Sequence, residues 1–249
     1  MESTAITDTL FGYHSVYETL RAGKRQVDIL LFSTRRSGLR LEGIQAIASK
    51  KQIPVKMVNP KILDAMTPLA NHQGIAAHVS AFPVKKASQV ISDLQTRQDP
   101  VFFLVLEGIE DPHNLGALIR TALCAGVDGI LIPKDRACQP SATVSRISAG
   151  AMEHADIYMI TNTAAILRDL KKNGVWVSGL DADGPVSLYA ADLTGNIALV
   201  IGGEHKGIRP LVQKECDFLL SLPNRGRINS LNASVAGGIA MYEALRQRS

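Results

Sequence analysis

Cysteine and aromatic side chains are scarce in this 249-residue chain, with three Cys, one Trp and 5% Phe, Trp and Tyr together. Cys124, Cys138 and Cys216 are odd in number and show no C-x-x-C spacing. That argues against a disulfide framework or a zinc site and suits a reducing compartment. No run of eighteen apolar residues occurs, so a transmembrane helix is not expected. The N-terminus has no basic-then-apolar secretory pattern. The expectation is a cytoplasmic protein with no metal and no membrane partner. Two nucleotide fingerprints are also missing. Patterning in the C-terminal part suggests a Rossmann-type sheet, but no G-x-G-x-x-G follows its first strand. Gly202 and Gly207 have Walker-A separation, yet no Lys-Ser/Thr follows them.

The hydrophobic content of 46% and charged content of 20% describe an ordinary globular chain. Its length allows one large or two small domains. The net charge of +4 is concentrated at one end. Residues 1–80 hold ten Lys/Arg against six Asp/Glu, an excess of +4, and residues 81–249 hold seventeen of each. The cations come in groups: Arg21, Lys24 and Arg25, then Arg35, Arg36 and Arg40, then Lys50 and Lys51. A basic unit beside a neutral one suggests a polyanion-binding module next to a catalytic module. On charge alone, a solvated basic surface remains the alternative.

The spacing of apolar residues divides the chain at 1–82, 83–100 and 101–249. The first part reads as a small α/β sandwich. It has a helix around Val16 and Leu20, a strand at Ile29–Phe32, a helix at Leu41–Ala48, a strand at Val55–Val58, a short helix at Lys61–Met66 and a closing strand at Ile75–Val79. Residues 83–100, with prolines and polar groups, read as a linker containing a helical stretch around Val90–Leu94. In the third part, near-continuous apolar strands alternate with helices, which argues for a parallel sheet covered on both faces.

Chemistry concentrates in three segments. After the strand Val101–Leu106 comes Asp111-Pro112-His113-Asn114-Leu115-Gly116-Ala117-Leu118-Ile119-Arg120. There Asn114 is expected to cap a helix whose apolar stripe is Leu115, Leu118, Ile119, Ala122 and Leu123, with Arg120 off the stripe. The strand Ile197–Ile201 runs into Gly202-Gly203-Glu204-His205-Lys206-Gly207. The strand Phe218–Leu222 is followed by Pro223-Asn224-Arg225-Gly226-Arg227 and by Ser230-Leu231-Asn232-Ala233-Ser234, which opens a final helix. Taken singly, the first segment is compatible with an ordinary βα unit, Gly202 with a turn glycine, and Leu222 and Leu231 with core leucines.

Taken together and in this order, the three segments resemble the motifs of the SpoU/TrmH branch of the SPOUT RNA methyltransferases. The likeness covers nearly the whole chain. It is strongest to bacterial enzymes that methylate a guanosine ribose 2'-oxygen in large-subunit ribosomal RNA. The resemblance implies an α/β fold, with a C-terminal SPOUT parallel-sheet domain bearing a deep trefoil knot and a small N-terminal L30e-like RNA substrate-binding domain. Phe11-Gly12-Tyr13-His14-Ser15-Val16 and His72-Gln73-Gly74-Ile75 match that domain's opening and closing segments, although packing or turn chemistry also accounts for His14 and His72. The implied cofactor is S-adenosylmethionine, read by the loops holding Gly202, Leu222 and Leu231. The implied partners are large-subunit rRNA and a second copy of the chain.

The resemblance makes Arg120 the first catalytic candidate, entering from the partner subunit. Its role as base or as phosphate clamp stays open. Deprotonating an arginine at neutral pH costs about 9 kcal/mol, whereas clamping a phosphate only positions the hydroxyl. Asn114 holds Arg120 or the ribose, or serves as a cap alone. Glu204 anchors a loop or pairs with Arg120, or is a solvated turn carboxylate. Ser230 and Asn232 resemble the polar pair of the substrate and cofactor pocket, and Asn232 also suits a cap. Two segments depart from the family pattern. Asn224-Arg225-Gly226-Arg227 and His205-Lys206 are more cationic than usual, which puts the substrate in doubt. The small residues of the last helix, Gly237 and Gly238 among them, imply close helix packing, between copies or within one. A tRNA methyltransferase and a catalytically silent RNA-binding assembly factor remain the alternatives.

Overall fold

Among the described residues, eight parallel strands form the larger of two sheets, and four strands of mixed direction form the smaller. The computed structural model describes residues 8–35, 39–67, 71–204, 206–226 and 230–249. Arg36, His205 and Arg227, singled out above, lie outside the described residues, as does the side chain of Arg40.

The first unit comprises residues 1–83 and 140–154. Its elements begin with β1 (Asp8–Phe11), α1 (Tyr13–Ala22), β2 (Val27–Ser33), α2 (Leu39–Lys50), β3 (Val55–Val58), α3 (Pro60–Met66) and β4 (Ile75–Val79). The sheet order is β1-β4-β2-β3. Leu10, Val16, Leu20, Leu30, Phe32, Ile44 and Ile75 make its core. β1, unmarked in the sequence reading, forms the edge by pairing with β4. His72 is engaged in turn chemistry: its Nδ1 accepts from Gly74 N at 2.9 Å and its Nε2 lies 3.1 Å from Asp64 Oδ1. The Gln73 side chain accepts from Tyr13 N at 2.9 Å, satisfying a first-turn donor of α1 that the helix's own cap leaves free.

The second unit comprises residues 84–139 and 155–249. It opens with β5 (Lys85–Lys86), α4 (Ser88–Gln95), β6 (Phe102–Glu107), α5 (Pro112–Cys124) and β7 (Gly129–Pro133). The chain then contributes α6 (Ala142–Ile147) and a 3-10 turn at Ala151–Glu153 to the first unit. The second unit resumes with β8 (Ile157–Ile160), α7 (Thr163–Lys172), β9 (Trp176–Leu180), β10 (Val186–Ser187), β11 (Ile197–Gly202), α8 (Pro210–Gln213), β12 (Phe218–Ser221) and α9 (Ala233–Arg248). The sheet order is β10-β12-β9-β11-β6-β7-β8-β5. β6 is buried along its whole length, as a central parallel strand covered on both faces requires. Residues 83–100, read as a linker, hold β5 and α4. β5 pairs with β8, and Val90 and Leu94 of α4 enter the core.

Pro140–His154 is gripped by polar as well as apolar contacts. Arg25, expected as part of a basic surface, is buried at 5% exposure. It donates to Ser80 O, to Asp8 Oδ2 at 2.8 Å and to Glu153 Oε1 at 3.4 Å. Ser145 Oγ donates to the same Glu153 oxygen at 2.7 Å. Burial pushes the Glu153 carboxyl up from its usual range, against the pull of Ser145 and Arg25. Arg25 therefore serves the fold, because only a fully bonded cation is tolerated at that depth. At Gly150 the backbone is left-handed, φ 83°, and a Cβ would lie 2.7 Å from His14 O.

Candidate active site

Helix α5 starts earlier than its apolar stripe suggests. Asp111, not Asn114, is the cap: its Oδ1 accepts from His113 N at 2.9 Å, and Pro112 takes the first helical position. Asn114 is thereby one turn inside the helix, buried and free to bond sideways. Its Nδ2 donates to Glu204 Oε1 at 2.5 Å. Asn232 Nδ2 donates to the same oxygen at 2.7 Å and to Asn114 Oδ1 at 3.0 Å. Asn232 Oδ1 meanwhile accepts from Ser234 N and Val235 N, capping α9. Three residues from three separate motifs thus form one polar node.

Two cavities flank this node at the carboxyl ends of the strands, where open α/β sheets place their ligands. The first, about 520 Å³, lies beyond β9, β11 and β12. Gly202, Leu222 and Leu231 line it, as do Glu204, Ser230 and Asn232. Leu231 is 49% exposed, so it is not the core leucine it would be in an unspecialised loop. The second cavity, about 590 Å³, lies beyond β6, β7 and β11, and Asn114 lines it. Gly203, Glu204 and Gly207 border both. That shared wall is a tight turn, closed by a hydrogen bond from Gly207 N to Gly203 O at 2.9 Å. Side chains are excluded at Gly202 and Gly203. A Cβ on Gly202 would lie 2.3 Å from Gly207 C, and one on Gly203 would lie 2.1 Å from Gly108 O.

The first cavity fits S-adenosylmethionine by charge. Its described lining includes the carboxylates of Asp181 and Glu204 and no Lys or Arg, which suits a ligand carrying a sulfonium and an ammonium. The main chains of the loops holding Gly202, Leu222 and Leu231 offer donors and acceptors for an adenine, between apolar walls. Among the described residues, no three His, Cys, Asp or Glu gather to hold a metal ion.

Arg120 stands apart. Six positions after Asn114, it points about 120° away around the helix, is exposed and lines neither cavity. It makes no hydrogen bond or ion pair with a described residue, so the pairing with Asn114 or Glu204 does not occur within the chain. Sequence reasoning also missed Glu107 and Arg209. Glu107, at 2% exposure, closes β6 inside the second cavity; it accepts from Thr163 Oγ1 at 2.6 Å and pairs with Arg209 Nε. A carboxylate ending an all-apolar strand is the signal that would have marked it.

Residues 101–242 match the SpoU rRNA Methylase family, and residues 9–84 match the RNA 2'-O ribose methyltransferase substrate binding family. With the parallel sheet and the cavity at its carboxyl edge, these matches define an RNA methyltransferase. Two relatives span almost the whole chain. The 23S rRNA (guanosine-2'-O-)-methyltransferase RlmB of Xanthomonas campestris is 39% identical over 96% of each chain. The enzyme of the same name from Shewanella oneidensis is 38% identical over 97% of this chain and 98% of its own. Among solved structures, an AdoMet-bound rRNA methyltransferase from Sinorhizobium meliloti superposes with a TM-score of 0.80, at 25% identity over 96% of this chain and 87% of that one. The chain belongs to the SpoU rRNA methylase family.

Proposed function

We propose that the protein is a cytoplasmic, homodimeric methyltransferase that moves the methyl group of S-adenosylmethionine to a guanosine ribose 2'-oxygen in large-subunit rRNA. The observation that carries this reading is the node of Asn114, Glu204 and Asn232, set between a cavity suited to a cationic cofactor and a second open cavity. Residues 1–83 with 140–154 serve as the RNA-binding domain and 84–139 with 155–249 as the catalytic domain, which carries the family's trefoil knot. The names of the near-full-length relatives support rRNA over tRNA.

When bound, S-adenosylmethionine supplies an electrophilic methyl group on sulfur. The protein's part is to hold the 2'-hydroxyl in line with it and take up the proton. A 2'-hydroxyl becomes strongly acidic as its oxygen is alkylated, so the proton acceptor would not have to be a strong base. Glu204 Oε1 is occupied by two amides, while Oε2 has no bond to a described residue and accepts that proton. Asn114 and Asn232 fix the carboxylate, which is positioning in the sense that yields large rate factors. Ser230 borders the ribose.

Arg120 then acts as a phosphate clamp, since an exposed guanidinium stays charged. Its direction away from its own chain's cavities supports entry into the site of a second copy. Val235 and Tyr242, each 50% exposed, stand on one face of α9 and supply apolar surface for that contact.

The test is methyl transfer from labelled S-adenosylmethionine to unmodified total RNA separated by size. Alkali-resistant label in large rRNA is expected. Label confined to tRNA would change the substrate, and cofactor binding with no transfer to RNA or pre-ribosomal particles would favour a silent assembly factor.

A further inference from the structure

The two cavities that meet at Glu204 differ in their fittings. The cofactor-side cavity has no cation among its described lining residues, whereas the other is bordered by Arg136, Lys206 and Arg209. The second cavity places these three cations among five carboxylates, those of Glu107, Glu110, Asp111, Asp135 and Glu204. Asp111 is committed to capping α5, and both oxygens of Glu107 are bonded. Glu110 and Asp135 differ: they are exposed, line the cavity and make no hydrogen bond or ion pair with a described residue. They come from adjacent strand ends, after β6 and β7. Arg136 is held at φ 55°, a left-handed conformation uncommon for a residue with a side chain and frequent in functional turns.

We infer that this second cavity receives the target nucleotide, with its phosphates against Arg136, Lys206 and Arg209 and with Glu110 and Asp135 selecting guanine. The inference rests on the methyltransferase reading above. A ribose at the shared wall reaches Glu204 from one side and the methyl donor from the other, which leaves base and phosphate in the second cavity, where three cations are available. At about 590 Å³ the space suits a single unstacked nucleotide. Guanine presents a ring N–H beside an amino group on its Watson–Crick edge, and one carboxylate accepts both in parallel. Adenine offers a bare ring nitrogen at the first of these positions, which would face the carboxylate lone pairs. Sites that hydrogen-bond a substrate group reject the analogue lacking it far more strongly than apolar pockets do.

The experiment first maps the nucleotide methylated by the parent enzyme, then places inosine or adenosine at that position in the rRNA substrate. Inosine lacks only the amino group. Single-turnover methylation and S-adenosylmethionine binding are measured for the parent, Glu110→Gln, Asp135→Asn and the double variant. The parent should lose about ten- to a hundredfold on inosine. The double variant should bind S-adenosylmethionine like the parent, lose a similar factor on guanosine, and treat guanosine and inosine alike. Arg136→Gln should raise KM for RNA and weaken its salt dependence with little change in kcat. An active parent whose double variant keeps the full preference for guanosine overturns this inference alone, as does loss of cofactor binding in that variant. A parent that methylates no RNA overturns the enzymatic reading and this inference with it.

Discussion

Asn232 donates its amide to Asn114 Oδ1 at 3.0 Å across 118 residues of sequence. Both amides end on the same oxygen of Glu204, and the carbonyl of Asn232 starts helix α9. One side chain therefore couples the last helix to the first motif, and the local structure of each to the site.

Replacing Asn232 with serine separates these roles. Serine retains an oxygen able to cap α9 but cannot donate an amide to Glu204. Asn232→Ser should change the unfolding temperature by only a few degrees, while single-turnover methylation falls about a hundredfold. Thermal unfolding and methyl transfer on the same preparation check both. Full activity would remove the node from the mechanism.

Arg120→Ala should leave stability within about 0.5 kcal/mol of the parent, because the side chain is exposed and has no bond to a described residue. Methyl transfer should fall at least about tenfold with the phosphate clamp gone. Mixing it with Asn232→Ser should restore activity at about a quarter of the sites if each site borrows its arginine from a second copy. No recovery after subunit exchange would place the arginine in its own chain's site.

Gly202→Ala puts a methyl group 2.3 Å from the backbone carbon of Gly207. Backbone cannot rotate away as a side-chain tip can, so the turn between the cavities must shift, at a cost of about 1–3 kcal/mol. Calorimetry should show S-adenosylmethionine binding lost or weakened more than tenfold with the far-ultraviolet circular dichroism of the parent retained, since the strands themselves are not strained.

The cysteines should differ sharply in reactivity. Burial pushes the Cys216 thiol up to about 12, with the negative charge of Asp217 adding to it. Burial also raises Cys138, reinforced by Asp111. Only the thiolate is nucleophilic, so at pH 8 Cys216 presents about one reactive molecule in ten thousand. Iodoacetamide followed by peptide mass mapping should label exposed Cys124 first and Cys216 only on unfolding.

Long apolar segments were legible because period and burial agree in them: the strands at Val101–Leu106 and Ile197–Ile201 and the helix at Leu41–Ala48 all recur in the structure with small shifts. β5 and β10 were not, since two-residue strands have no period to detect. The start of α5 was misjudged at Asn114 although Asp111-Pro112 is a cap followed by a first-turn proline. That shift matters to the site, because a cap Asn would turn its oxygen toward its own helix's first N–H groups, away from Asn232. Arg120 was correctly placed off the apolar stripe. Arg25 was placed on a basic surface, because its burial depends on Asp8 and Glu153, the latter 128 residues away.

The detour of Pro140–His154 limits how modular this protein is. Exchanging the N-terminal segment with that of a relative, at the junction between the two matched families, would separate Arg25 from Glu153 and the Gly150 turn from the helix it touches. The carboxylate left behind would lose its buried cation. A workable chimera has to carry residues 140–154 along with the first eighty-odd, as a second cassette cut from the middle of the other gene. A substitution at Arg25 therefore finds its compensating position at Glu153, which belongs to the other matched segment.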